Sequence, residues 1–137
     1  MCSIRTGSGS TTFQTGLDVP SDVAHGYALK GGTFPAVDSP RDVSAYWSDR
    51  SIAADVADLA SFFSQLLHAL PEMVEGGLGV RAYEHPRGTA YGHGGTMAGY
   101  TVQLRTTLDG EHTVIAAANS HSIPVTRAIA AAVQDLL

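Results

Sequence analysis

The 137-residue sequence is poor in several residue types at once: one cysteine, one lysine, one asparagine and one tryptophan. A lone Cys2 excludes an internal disulfide and any cysteine-based zinc site. Charged residues make up only 15% of the chain, and the formal net charge is −5. The seven arginines are scattered, with no basic run and no aromatic platform beside them, which argues against nucleic acid as a partner. No apolar run approaches the roughly 20 residues of a membrane span. The opening "MCSIRTGSGSTT" is polar and glycine/serine-rich, without the charged-then-apolar pattern of a secretory signal. It reads as a flexible leader over residues 1–12. His25, His68, His85, His112 and His121 lack metal-ligand spacing, so they are expected on the surface or in loops. Neither a metal nor another cofactor is expected.

What is present describes one domain. Apolar residues reach 44%, and a chain of this length buries about 68% of its unfolded surface. Residues 13–50 carry Pro20, Gly26, Gly31, Gly32, Pro35 and Pro40, so this stretch is expected to be irregular. From Val56 the apolar residues Leu59, Phe62, Phe63, Leu66, Leu67 and Leu70 recur at helical spacing. This predicts a helix over 56–69, N-capped by Asp55 and stopped by Pro71. Asp55 and Asp58 read as capping and dipole compensation. "LGVRAY" alternates as a strand, "EHPRG" reads as a turn and "TAYGH" resumes an extended chain. "YTVQLRTT" and "HTVIAAAN", joined at Asp109-Gly110, predict a hairpin. Ser122 is placed to cap a last helix, with Pro124 in its first turn and Ile129, Val133 and Leu136 on its apolar face.

The stretch "YGHGGTMAGY", residues 91–100, sets four glycines around His93. Such a cluster in an apolar region means either a sharp turn or a close approach to the backbone. A plain turn histidine is the competing reading of His93. Ser8 and Ser10 in "GSGS" lack the strand-turn-helix setting of a nucleophile elbow. Ser120-His121-Ser122 has no carboxylate at a telling spacing, so helix capping is preferred to a triad.

The succession "VAHGYAL", "VADLASFFSQLL", "YGHGGTMAGYTVQL" and "TVIAAANS" resembles the C-terminal part of the serine β-lactamase and DD-peptidase superfamily. The likeness is to its class C β-lactamase, D-alanyl-D-alanine carboxypeptidase and esterase branch, and it runs from about Thr12 to Leu137. It implies an α+β fold, an α/β sandwich. The chain would supply three C-terminal antiparallel strands, a C-terminal helix and part of the helical region, with residues 13–137 as the C-terminal part of that domain. His93-Gly94-Gly95 matches the family's third motif, Lys-Thr-Gly or His-x-Gly. By resemblance these residues lie on an edge strand walling the active site. Gly94 and Gly95 would let a substrate approach, Thr96 would give a backbone N–H to the oxyanion hole, and His93 would give positive charge and hydrogen bonds. A histidine changes charge near neutral pH, so its help would vary with pH. Gly94 lacks the threonine hydroxyl that helps bind a substrate carboxylate, which leaves esterase and amidase branches open. Trp47 falls near an aromatic that lines the pocket in some relatives, while Arg50, with Asp49, departs from the small residues found there.

The superfamily's nucleophile and base stand in Ser-x-x-Lys, one helical turn apart. Here the single lysine, Lys30, has Tyr27 three residues before it. The second motif needs a tyrosine or serine two residues before an asparagine, and Ala117 precedes the single Asn119. Both motifs are absent and are expected upstream of residue 1 in a full-length relative. The chain therefore reads as part of a penicillin-binding type of serine hydrolase acting on small peptide-like or ester substrates, and inactive alone. The strand at Thr113–Ala118 would be an open edge, covered by an N-terminal companion fragment or by a second copy. The alternative is a non-catalytic binding or assembly module using the same edge. A metal-dependent hydrolase would need clustered ligands that the sequence does not offer. The resemblance implies a cell-envelope or secreted location.

Overall fold

The computed structural model describes residues 11–13, 23–37 and 52–137. The elements in chain order are β1 (Thr12–Phe13), β2 (Ile52–Ala53), α1 (Val56–Ala69), α2 (Pro71–Gly76), β3 (Arg81–His85), β4 (Gly88–Met97), β5 (Tyr100–Thr107), β6 (Thr113–Ala118) and α3 (Ile123–Leu136). Strands β3 to β6 form one antiparallel sheet in sequence order, and β1 pairs with β2 in a separate ribbon. This is an α+β architecture, with the three C-terminal strands and C-terminal helix that were expected. Strand β3 adds a fourth strand to the sheet.

Helix α1 matches its predicted bounds. The Asp58 N–H donates to the Asp55 carboxylate at 2.7 Å, which satisfies one of the amides left over at a helix start. Asp58 does more than offset the dipole. It is 1% exposed and accepts a hydrogen bond from the Thr11 hydroxyl at 2.6 Å, tying the β1 segment to α1. Pro71 does end α1, but it also starts α2, because a proline fits the first turn of a helix.

Strand β3 begins later than the sequence pattern suggested. Gly79 has φ of +75°, which breaks the extended run, so Leu78 is exposed and only Val80 enters the core. The "EHPRG" turn shrinks to Pro86-Arg87, with Glu84 and His85 inside β3. Ser122 holds the N-cap position of α3 without a side-chain capping bond. Val133 of α3 is fully buried, whereas Leu136 is 68% exposed and Leu137 is buried in its place. The i, i+4 step from 133 leads to 137, so the apolar stripe passes Leu136 by.

The sheet has two covered faces. Phe63, Leu67, Val80 and Leu104 form a core between the sheet and α1, with Tyr91 and Ile115 against it. Helix α3 lies against β5 and β6. Alternation along a strand puts Tyr91, His93 and Gly95 on the face of Leu104, and Gly92, Gly94 and Thr96 on the opposite one.

Candidate active site on the open half of β4

Strand β4 is ten residues long, and β3 is five. The register Arg81↔Gly92 through His85↔Gly88 means that β3 covers only the first half of β4. From His93 to Met97 the strand pairs with β5 alone. Among the described residues nothing pairs with its other side. The edge strand expected from the sequence is therefore an edge along its motif half only.

The two hairpins fix which amides face the opening. Met97↔Tyr100 closes a two-residue loop, Ala98-Gly99, and a closing pair of that kind exchanges both backbone bonds. Antiparallel ladders alternate, so Gly95↔Val102 and His93↔Leu104 are bonded pairs, and Thr96↔Thr101 and Gly94↔Gln103 are not. The N–H and C=O groups of Gly94 and Thr96 consequently point away from β5, into the opening. The other hairpin agrees. Its closing pair, His85↔Gly88, makes Arg81↔Gly92 a bonded pair, so Gly92 faces β3 and Gly94 and Thr96 follow in the same phase.

The three glycines of this strand differ in what surrounds them. A Cβ on Gly92 would lie 2.9 Å from the Leu104 carbonyl carbon and closer still to its oxygen, so backbone packing demands glycine there. A Cβ on Gly94 would fall 2.6 Å from Cδ of Gln103, inside space that this carboxamide already fills. Gly95 is different: its Cβ would meet only Val102 Cγ1, at an ordinary 3.5 Å. Among the described residues its smallness serves no packing need. His93 and Thr96 are exposed beside it.

The tip of the β4–β5 hairpin is pinned from behind. The Gly99 N–H donates to Nδ1 of His121 at 2.8 Å, and the Tyr100 hydroxyl donates to the Ala24 carbonyl at 2.8 Å. Gly26 packs against Gly99 so closely that a Cβ on either would fall 2.8 Å from the other's Cα. "VAHGYAL" thus serves to seat the turn that follows the motif. His121 was expected to be a simple surface or capping residue, and its acceptor role had no sequence signal. Gln103, whose carboxamide covers Gly94, and the buried Arg105 carried no sequence signal either.

Among the described residues no group of three potential ligands could hold a metal. Trp47, Asp49 and Arg50 lie outside the described residues, as do Ser8 and Ser10. A hollow of about 100 Å³ sits at the far end of β4, lined by His85, Arg87, Ala90, Thr107, His112 and Leu137. It is small against the roughly 300–1,000 Å³ of ordinary ligand pockets, and it is remote from residues 93–96. The open strand is the better candidate, because an extended substrate needs a backbone edge rather than a hole.

The fold matches a fragment of a β-lactamase-like fold. Three solved chains match it, and one of them is a D-stereospecific amidohydrolase from Streptomyces sp.. That structure superposes with a TM-score of 0.68 at 24% identity, over 82% of this chain and 39% of its own. This chain therefore spans about two-fifths of that protein, and the likeness establishes a hydrolase-like fold. No protein-family model and no curated protein matches the sequence.

Proposed function

We propose that this chain is the C-terminal part of a serine hydrolase that works by acyl transfer on peptide-like amides, β-lactams or esters. The observation that carries the reading is the one-sided pairing of His93–Met97, with the peptide groups of Gly94 and Thr96 facing out. A backbone N–H held on a rigid strand and aimed at an opening is what an oxyanion hole requires. Thr96 supplies that donor, Gly95 leaves the room for an acyl group, and His93 stands beside both as a hydrogen-bonding and charge-bearing group. The amide-hydrolysing neighbour favours amides among the three substrate classes.

The nucleophile and its base come from polypeptide outside these 137 residues, since no Ser-x-x-Lys occurs in them. Residues 13–137 form the C-terminal part of the domain, and the companion segment joins at the β6 edge. Mixing the chain with a companion bearing Ser-x-x-Lys should restore covalent labelling by a fluorescent penicillin or an activated ester. A stable complex with an intact serine that no acylating probe labels would refute the proposal.

A second reading, a non-catalytic assembly module, is favoured by the β6 edge alone. Strand β6, "TVIAAA", has no charge and, among the described residues, pairs only with β5. That reading predicts association without turnover in any pairing.

A further inference from the structure

The N–H of Gly99 needs a partner that the sheet does not give. Met97↔Tyr100 is the last pair of the β4–β5 ladder, so Ala98 and Gly99 lie beyond it. Gly99 is buried, and a buried N–H left unbonded is costly. It donates to Nδ1 of His121, 2.8 Å away and 22 residues further along the chain. That bond fixes the state of the ring. A nitrogen that accepts carries no proton, so the ring is neutral and its proton sits on Nε2. An imidazolium has a proton on both nitrogens and cannot accept.

His121 is a firm anchor because the chain on either side of it is held. It stands in the short link between β6 and α3. Its neighbour Ser120 is 7% exposed, bridges to Tyr27, and accepts the Ser122 N–H on its hydroxyl at 3.4 Å. The hairpin tip has two other supports, the Tyr100 hydroxyl on the Ala24 carbonyl and the packing of Gly99 on Gly26. Neither involves a group that gains a proton on mild acidification, whereas the bond to His121 does. The described segments that meet at this corner carry few titratable groups. There are none on β6 or in the first turn of α3, where Arg127 follows; the hairpin tip has Tyr100, and residues 23–37 have His25, Tyr27 and Lys30. No carboxylate is among them, so no new ion pair offsets the lost bond when the ring is charged.

The tip also governs the motif. Thr96 has no ladder bond to β5, so its pose is set by the bonded pairs on either side, Gly95↔Val102 and Met97↔Tyr100. Loosening the tip frees the second of these. We propose that His121 is a positioning residue of the active-site strand: its neutral ring holds the β4–β5 tip through Gly99 and so fixes the outward pose of Thr96, and protonation releases both. The proposal rests on the hydrolase reading only for calling this strand an active-site strand; the latch is read from the geometry of the chain itself.

The test is an NMR titration of the chain from about pH 8 to about pH 5, the range in which histidines change charge. It follows the carbon-bound ring protons of His121 and the amides of Gly99 and Thr96. Protection of the Gly99 amide against hydrogen exchange, corrected for the intrinsic effect of pH, should fall about tenfold, the factor carried by one ordinary hydrogen bond. The fall should share its midpoint with the His121 ring, and the Thr96 amide resonance should move with it. His121→Asn sets a carboxamide oxygen where Nδ1 stands and does not titrate, so it should keep the protection at every pH. His121→Gln carries its oxygen one atom too far and should lack the protection at every pH. A lesion of packing alone would not separate these two variants. In a reconstituted complex, the acylation rate of His121→Asn relative to the parent should rise as the pH falls, a ratio from which the titration of His93 cancels. A Gly99 amide indifferent to the His121 titration, protection that still falls with pH in His121→Asn, or full protection in His121→Gln would overturn the assignment. The parent titration decides the matter even if a variant unfolds, and it is independent of whether any complex is ever acylated.

Discussion

Three glycines within four positions of β4 separate packing from function. Gly92→Ala drives a Cβ into the Leu104 carbonyl, a contact between backbones that cannot yield. It should destabilise the chain by about 1–3 kcal/mol, visible as a lower denaturation midpoint. Gly95→Ala meets only an ordinary contact, so its midpoint should stay within about 0.5 kcal/mol of the parent, as for substitutions clear of core and caps. In a reconstituted complex the same change should slow labelling, because the methyl group stands on the His93 face where the acyl group must pass. Asp109 provides a pH marker of the hairpin. A side-chain bond from Thr107 and a backbone bond from Glu111 hold its carboxyl below the usual range. Its contribution is therefore present above the unfolded pKa and is lost as the pH falls through the folded one. Asp109→Asn should lower stability at neutral pH, leave the acid end unchanged and so flatten the acid limb of a stability-versus-pH curve.

Among elements, α1 was the most legible, because fourteen residues of helical periodicity with a capping aspartate leave no alternative. Asp55→Ala should cost about 1 kcal/mol of stability by freeing the Asp58 amide, measured by urea unfolding. Strand β5 was found, but nothing in it marked which of its faces are covered. In "YTVQLRTT" the apolar Val102 and Leu104 alternate with Thr101, Gln103, Arg105 and Thr107, which reads as a strand with one wet face. The structure buries that second face: Thr101 is 2% exposed and bonds Thr126 of α3. Polar residues that satisfy one another, or brace an aromatic ring, look from the sequence like surface. The extended start of β4 was legible in "TAYGH". The exact boundary of its open half was not, since that is set by where β3 ends, and a non-local register leaves no mark in β4 itself.

At the scale of the molecule the sheet has two unlike margins. Strand β3 carries Arg81, Glu84 and His85, and charges of that kind discourage strand addition. Strand β6 carries none. The phase of the ladder turns the N–H and C=O groups of Thr113, Ile115 and Ala117 outward, and α1 and α3 both touch this strand. Tyr27 already occupies the next position along, its N–H donating to the Asn119 carbonyl at 2.9 Å. We propose that another chain covers the β6 edge. Ala117→Lys, at an exposed position, should abolish association in sedimentation velocity while leaving the fold's circular dichroism intact.

The central claim is that the Thr96 N–H faces an opening and stabilises charge there. Proline at 96 removes that one donor and nothing in the ladder to β5, whereas proline at 95 removes a ladder bond. The account predicts that Thr96→Pro folds like the parent while Gly95→Pro does not. In the complex with a Ser-x-x-Lys companion, Thr96→Pro should be acylated about 10²–10³ times more slowly. Unchanged acylation by Thr96→Pro, or a loss of stability as large as that of Gly95→Pro, would contradict it.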